Sequence, residues 1–314
     1  MSKFAFVFPG QGSQSVGMLD AWGDHPVVRD TLAEASDALG EDVGALIHNG
    51  PKEALALTTN TQPVMLVAGV AAYRVWRAEG GALPAVLAGH SLGEYAALVA
   101  AGALTLAQAA PLVRFRAQAM QDAVPVGQGA MAAILGLPAD KVVAGCQEAQ
   151  GALGAGEVVE AVNFNDPAQT VIAGSKAGVD KACEVLKAAG AKRALPLPVS
   201  APFHSSLMRP AAERLASHLA TMDMAVPALP VVNNIDVAVE TDVARIKDAL
   251  VRQAYGPVRW VECIQRIQSM GVTHVVECGP GKVLAGLVKR INPDLQGLAL
   301  YDPATLAEAK GVLA

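Results

Sequence analysis

The sequence predicts an α/β protein: a parallel sheet covered by helices and interrupted by a smaller β-α-β-β-α-β unit. Three observations predict it. Short uncharged runs such as Phe4-Ala5-Phe6-Val7-Phe8 and Ala85-Val86-Leu87-Ala88 alternate with helical patterns, the order that builds right-handed crossovers. The composition is 52% hydrophobic but only 4% aromatic, which suits Ala-, Val- and Leu-rich helices packed on a sheet buried on both faces. A length of 314 residues fits two domains, or one large α/β domain with an insertion, and supplies an ample core.

The elements follow in order. Residues 4–8 read as a buried strand, ended by Pro9-Gly10 and feeding a glycine-rich loop. Helical patterning covers residues 24–39 and 62–79. Ala85-Val86-Leu87-Ala88 is the second buried strand, and residues 92–101 read as a helix directly after it. From Ala96 to Val113 the chain carries no charge, but Gly102, Thr105, Gln108 and Pro111 interrupt a largely alanine stretch. That stretch is too weakly apolar to hold a bilayer span and reads as a buried helix followed by another helix start. Near the other end, residues 272–276 read as a strand, Gly279-Pro280-Gly281 as a tight turn and residues 282–291 as a helix.

The middle differs. Strands are expected at residues 130–135, 158–164, 170–173 and 193–199, with helices at 138–150 and 177–189 and a turn at Asn165-Asp166-Pro167. This is the ferredoxin-like order. It is placed as an inserted domain over residues 126–199, about 70 residues and near the smallest size that holds its own core. Residues 1–125 and 200–314 then form the large domain. No internal repeat or low-complexity linker interrupts it.

A formal net charge of −5, from 24 basic and 29 acidic residues, argues against a general nucleic-acid binder, which needs a basic face for phosphates. The cysteines, Cys146, Cys183, Cys263 and Cys278, are widely spaced with no CxxC pair, so reduced thiols in a cytoplasmic protein are expected rather than a disulfide frame or zinc site. The first apolar run is too short for a signal peptide.

The feature richest in chemistry is Gly89-His90-Ser91-Leu92-Gly93. A G-x-S-x-G between strand and helix is a nucleophile elbow, a sharp turn that lifts the serine Oγ clear of the sheet. The alternative is a surface serine in an ordinary βα turn; the flanking strand and helix favour the elbow. A serine of ordinary pKa needs a base. Among the histidines, His90 points away from the hydroxyl in that geometry. His25, His48 and His218 lie in polar surroundings, and His274 falls in a buried strand as a core histidine. His204, in the loop just after the small domain, remains as a plausible base. Between Ser91 and His204 no aspartate stands in a clear strand-end loop as its partner, apart from Asp166 in the small domain, but a carboxamide or backbone carbonyl can orient the ring, since the role needs only an acceptor for Nδ1–H. Gln253 is a candidate for positioning that part of the site; a solvent-facing helix position is the alternative. Arg114 and Arg116 are two apart and cannot share a helical face, so one is expected outside and one inside. An inward guanidinium needs a partner, and a ligand carboxylate or a structural one both suit its fork.

Taken together, Phe8-Pro9-Gly10-Gln11-Gly12-Ser13-Gln14, Gly89-His90-Ser91-Leu92-Gly93-Glu94-Tyr95, Arg116, Pro202-Phe203-His204, Gln253-Ala254-Tyr255 and Glu277-Cys278-Gly279-Pro280-Gly281 resemble the malonyl-CoA:acyl carrier protein transacylase family. The resemblance runs collinearly over essentially the whole chain. It implies an α/β-hydrolase-like core with a ferredoxin-like insertion. It also implies that Ser91 is the nucleophile and His204 its general base, with the backbone N–H groups of Gln11 and Leu92 as the oxyanion hole. Arg116 would clamp the malonyl carboxylate, and a backbone carbonyl near Gln253 would orient the histidine. Asn165 resembles a position near the substrate cleft. Phe203 resembles the bulky aromatic of malonyl-specific acyltransferase domains, although other malonyl enzymes carry serine there.

The implied partners are malonyl-CoA and acyl carrier protein, with neither nucleic acid nor membrane, in a monomer needing no metal or bound cofactor. Because carrier and CoA are anionic and the chain is acidic, a local basic patch is expected; Lys192, Arg193, Lys282, Lys289 and Arg290 are its candidates. Competing readings are an acyltransferase for another acyl-CoA or for a polyketide or malonate-pathway carrier, a serine thioesterase or esterase using the same elbow, and a non-catalytic carrier-binding module.

Overall fold

A computed structural model describes residues 3–199 and 201–313. Met1, Ser2, Ser200 and Ala314, which the expected bounds of the large domain include, lie outside the described residues.

Nine strands are found among the described residues. Five form one parallel sheet: β1 (Phe4–Phe8), β2 (Val86–Gly89), β7 (Val231–Val232), β8 (His274–Cys278) and β9 (Gln296–Leu300). Their order is β7-β2-β1-β8-β9. All five residues of β1 are buried, because alternate side chains serve two cores. Phe4, Phe6 and Phe8 join the core beneath helix Thr58–Ala78, where the Phe6 ring lies 5.4 Å from that of Trp76. Ala5 and Val7 face the opposite core with Trp260, Ile264 and Leu287. The unbroken apolar run at residues 4–8 thus reflects a strand covered on both sides.

The other four strands, β3 (Gly129–Leu135), β4 (Val159–Asp166), β5 (Gln169–Ser175) and β6 (Arg193–Pro196), make an antiparallel sheet in the order β4-β5-β3-β6. Helices Ala139–Gly151 and Lys176–Ala188 complete its β-α-β-β-α-β sequence. Helix and sheet share a separate core of Ile134, Val142, Ile172 and Leu186. The fold is therefore an α/β-hydrolase-like parallel core with a ferredoxin-like unit. The two units are stitched where Phe164 N donates to Val258 O at 3.0 Å and Val258 N donates to Val162 O at 2.8 Å.

Several expected bounds shift for physical reasons. The last small-sheet strand ends at Pro196 rather than at residue 199, since Pro196 and Pro198 have no N–H to give the ladder. The helix expected from residue 62 begins at Thr58, a turn earlier, anchored as Thr61 Oγ1 donates to Leu55 O at 2.7 Å. The strand expected at 272–276 runs from His274 to Cys278. His274 thus opens the strand half-buried instead of sitting in the core, 2.8 Å from Thr273 Oγ1. Among the described residues no helix is long and apolar enough to cross a membrane.

Candidate active site

The register of β1 and β2 brings the site together. Phe8 pairs with Gly89, so the loops leaving both strands, Pro9–Gln11 and His90–Leu92, run side by side at the C-terminal edge of the sheet, where α/β folds hold ligands. Between β2 and helix Gly93–Ala100 the chain turns at Ser91 with φ of 53°. This left-handed conformation is uncommon for a residue with a Cβ. Glycines make the turn possible: a Cβ at Gly89 would stand 1.8 Å from the Gly93 carbonyl carbon, and one at Gly93 would stand 2.1 Å from Phe8 O. Asn234 braces the turn from behind, its Oδ1 accepting from Ser91 N at 2.7 Å and its Nδ2 donating to Gly89 O at 2.7 Å.

Ser91 Oγ lies 2.7 Å from His204 Nε2, and His204 Nδ1 lies 2.8 Å from Gln253 O. His204 also has a positive φ, 66°. Its acceptor has a local origin. Gln253 sits in the last turn of helix Val243–Tyr255, where the i+4 residue would normally donate to its carbonyl. That residue is Pro257, which has no N–H. The orphaned carbonyl is free for the imidazole, and no carboxylate is needed to fix the tautomer. Burial, with the nearby Arg116 cation adding to it, pushes the His204 pKa down to about 3. The ring is neutral and able to accept the serine proton.

Arg116 is 1% exposed, whereas Arg114 turns outward to Glu41. The Arg116 fork is held by neutral oxygens: Nη1 donates to Gln62 Oε1 at 2.6 Å, while Nη2 donates to Gln253 Oε1 at 3.0 Å and to Ser91 Oγ at 3.1 Å. Its Nε has no hydrogen-bond partner, and Tyr95 presents its ring 5.5 Å away. Burial draws the guanidinium pKa down, yet an arginine stays charged. A buried cation beside a serine hydroxyl, with no direct carboxylate partner among the described residues, has an unmet demand for an anion.

These groups border a cavity of 110 Å³ that Gln11, Leu92, Phe203 and Asn163 also line, with Met120, Met131, Leu197 and Val199 as its apolar wall. Gln253 supports the cavity through Arg116 without lining it. Asn165 also lies outside the lining: its Oδ1 accepts from His90 Nε2 at 2.8 Å, behind the elbow and beside the Trp260 ring. His204 borders a second, larger cleft of 730 Å³ together with Gln150, Glu160, Tyr255 and Pro257.

Three site residues escape a reading of the sequence. Gln62 and Asn234 belong to no motif, and Glu94 belongs to one without an evident task. Only Asn233-Asn234, polar directly after the buried Val231–Val232 pair, hints at a role. The basic residues proposed for docking are scattered in their engagements: Arg290 Nε donates to Asp166 Oδ2 at 2.8 Å and Lys282 lies 5.9 Å from the Tyr301 ring, while Lys192, Arg193 and Lys289 are exposed.

A serine hydroxyl on an imidazole, at an elbow of a parallel sheet, is the arrangement of acyl-transfer centres in α/β-hydrolase-like folds. Residues 5–294 match the acyl transferase domain family. The chain is 54% identical to the malonyl CoA-acyl carrier protein transacylase of Salmonella typhimurium, over 98% of this chain and 99% of that protein. Its structure is similar to that of an acyl-carrier-protein S-malonyltransferase from Burkholderia pseudomallei, at 68% identity and a TM-score of 0.95, covering 98% and 99% of the two chains. It also matches a malonyl-transacylase solved in complex with a type II PKS acyl-carrier protein, at 51% identity and a TM-score of 0.95, covering 98% and 99% of the chains. The protein is an acyltransferase, and it belongs to the malonyl CoA-acyl carrier protein transacylase family.

Proposed function

We propose that the enzyme moves a malonyl group from malonyl-CoA to the phosphopantetheine thiol of an acyl carrier protein, through a malonyl ester on Ser91. The observation that carries this reading is Arg116, a buried cation beside the nucleophile with only neutral partners in its fork. A malonyl group brings it a carboxylate along with a thioester, which an acetyl group does not.

In the first half-reaction Ser91 Oγ attacks the thioester carbon while its proton passes to His204 Nε2, and Gln253 O steadies the Nδ1–H of the resulting imidazolium. The backbone N–H groups of Gln11 and Leu92 receive the oxyanion, each donor of this kind being worth about 3–4 kcal/mol. Collapse breaks the C–S bond, and the proton on His204 leaves with the CoA thiolate. In the second half the carrier thiol gives its proton to His204 and attacks the ester, and Ser91 Oγ recovers the proton as it leaves. Splitting the transfer lets two bulky thiols use one site in turn.

The carrier is proposed to dock over Lys192, Arg193, Lys282, Lys289 and Arg290, and Phe203 is proposed to restrict the acyl group. The four cysteines are all unpaired, which supports a cytoplasmic setting.

The test is incubation with a panel of acyl-CoAs, with and without carrier protein, followed by peptide mass mapping. A malonyl adduct on Ser91 that carrier protein discharges is the expected result. Hydrolysis outpacing transfer, or an adduct that persists in Ser91→Ala, would overturn it.

A further inference from the structure

One carboxylate oxygen is linked, through Asn234 and Gln253, to Ser91, His204 and Arg116. Glu94, in the first turn of helix Gly93–Ala100, is 2% exposed. Its Oε2 accepts from Gln253 Nε2 at 2.9 Å and from Asn234 N at 2.9 Å. Asn234 is the residue whose side chain ties Ser91 N to Gly89 O. Gln253 is the residue whose Oε1 receives Arg116 and whose backbone oxygen receives His204.

The amide of Gln253 can be inserted in two ways, and its neighbours permit one. On one side lie two acceptors, Ser91 O at 3.0 Å and Glu94 Oε2 at 2.9 Å. On the other lies a donor, Arg116 Nη2 at 3.0 Å. Turned over, the amide would set its NH2 against the guanidinium and its oxygen against two acceptors, so every contact would become repulsive or unmade. Ser91 O alone leaves the second amide hydrogen without a partner in a buried site. Glu94 supplies the missing acceptor.

We propose that Glu94 is a positioning residue, which fixes the orientation of the Gln253 amide and thereby seats the Arg116 fork facing the acyl pocket. It touches neither substrate nor reacting atom. The inference rests on the malonyl reading above, because seating the fork matters only if the fork selects the acyl group.

Steady-state transfer with malonyl-CoA and acetyl-CoA, in wild type and in Glu94→Gln, Glu94→Asp and Glu94→Ala, tests it, with thermal melts verifying folding. Glu94→Gln keeps an acceptor oxygen, so its malonyl-to-acetyl ratio of kcat/KM should stay within about threefold of wild type. Glu94→Ala should lose malonyl transfer by about a hundredfold, and the ratio should fall at least tenfold. Glu94→Asp withdraws the acceptor by one methylene and should fall between them; it decides the matter if the alanine variant does not fold. Equal losses on both donors with an unchanged ratio would mean a merely structural role. A Glu94→Gln variant as unselective as the shorter ones would mean that charge, not orientation, matters. Either overturns the proposal. A wild-type enzyme without preference for malonyl would instead overturn the functional reading itself.

Discussion

Arg116 Nη2 donates to Ser91 Oγ across 3.1 Å, so the hydroxyl that gives its hydrogen to His204 is also held by a buried cation. On the proposed reading, the fork that receives an anionic acyl group rests on the Ser91 hydroxyl until one arrives. Arg116→Ala should therefore cost malonyl transfer about 2–5 kcal/mol, the penalty of leaving a desolvated charge unpaired. Relative use of acetyl-CoA should rise. Competition assays with the two donors read this directly, and an unchanged ratio would remove Arg116 from carboxylate recognition.

Burial, with Arg116 adding to it, holds His204 near a pKa of about 3, far below the ordinary imidazole value of 6.5. The base is therefore unprotonated throughout the mildly acidic range. Single-turnover malonylation of Ser91, followed by intact mass between pH 5 and 8, should show no acid limb at 6.5. A rate that halves at that pH would place His204 in a wetter setting than the one described.

Glu277 makes a prediction about stability. It is fully buried in β8, with Oε2 accepting from Ala285 N at 2.9 Å and Oε1 unpartnered. Burial raises its pKa from 4.5 to about 7. A raised carboxyl binds its proton more tightly in the folded state, so its contribution is most favourable below the ordinary pKa and is lost as pH climbs toward 7. Glu277→Gln keeps an acceptor for Ala285 but has no charge to bury. Its stability relative to wild type should improve by about 3 kcal/mol between pH 4 and pH 8, as measured by denaturant unfolding at both. A difference that stays flat would contradict the assigned burial cost.

The elbow admits no side chain at Gly89, where a Cβ would stand 1.8 Å from backbone. Gly89→Ala should destabilise by about 3 kcal/mol or more and abolish acylation, since neither strand nor helix can retreat without displacing Ser91. A folded, active Gly89→Ala protein would show the turn to be looser than drawn.

Docking of the carrier is separable from chemistry. Reversing charge at Lys289 and Arg193 should raise the KM for the carrier and leave that for malonyl-CoA within about twofold, as expected of exposed charges that steer encounter. Equal changes in both constants would move the docking face elsewhere.

Three of the five parallel strands, the small antiparallel unit and the elbow are readable because each is local, whereas the two-residue β7 and the half-polar start of β9 give no such signal. Alternation, glycine spacing and turn residues sit within a dozen positions of one another. His204 and Arg116 were readable as candidates, through a process of exclusion and through the odd spacing of two arginines. What escaped was whatever depends on pairs far apart in the chain. Gln62 meets Arg116 across 54 positions, and Asn234 meets Ser91 across 143; an amide in a helix or a loop shows no sign of such a partner. The acceptor for His204 stood half in view. Pro257, four residues after Gln253, marks a carbonyl without a helical donor, but only the fold shows which ring uses it. His274 failed for a simpler reason, a strand that begins two residues later than the apolar run.

The pocket beside Ser91 measures 110 Å³, room for roughly four waters, with two methionines and Phe203 in its lining. On the proposed reading, a short acyl group fills this space, and a grown fatty chain on Ser91 would have to leave it for the larger cleft on the other side of His204.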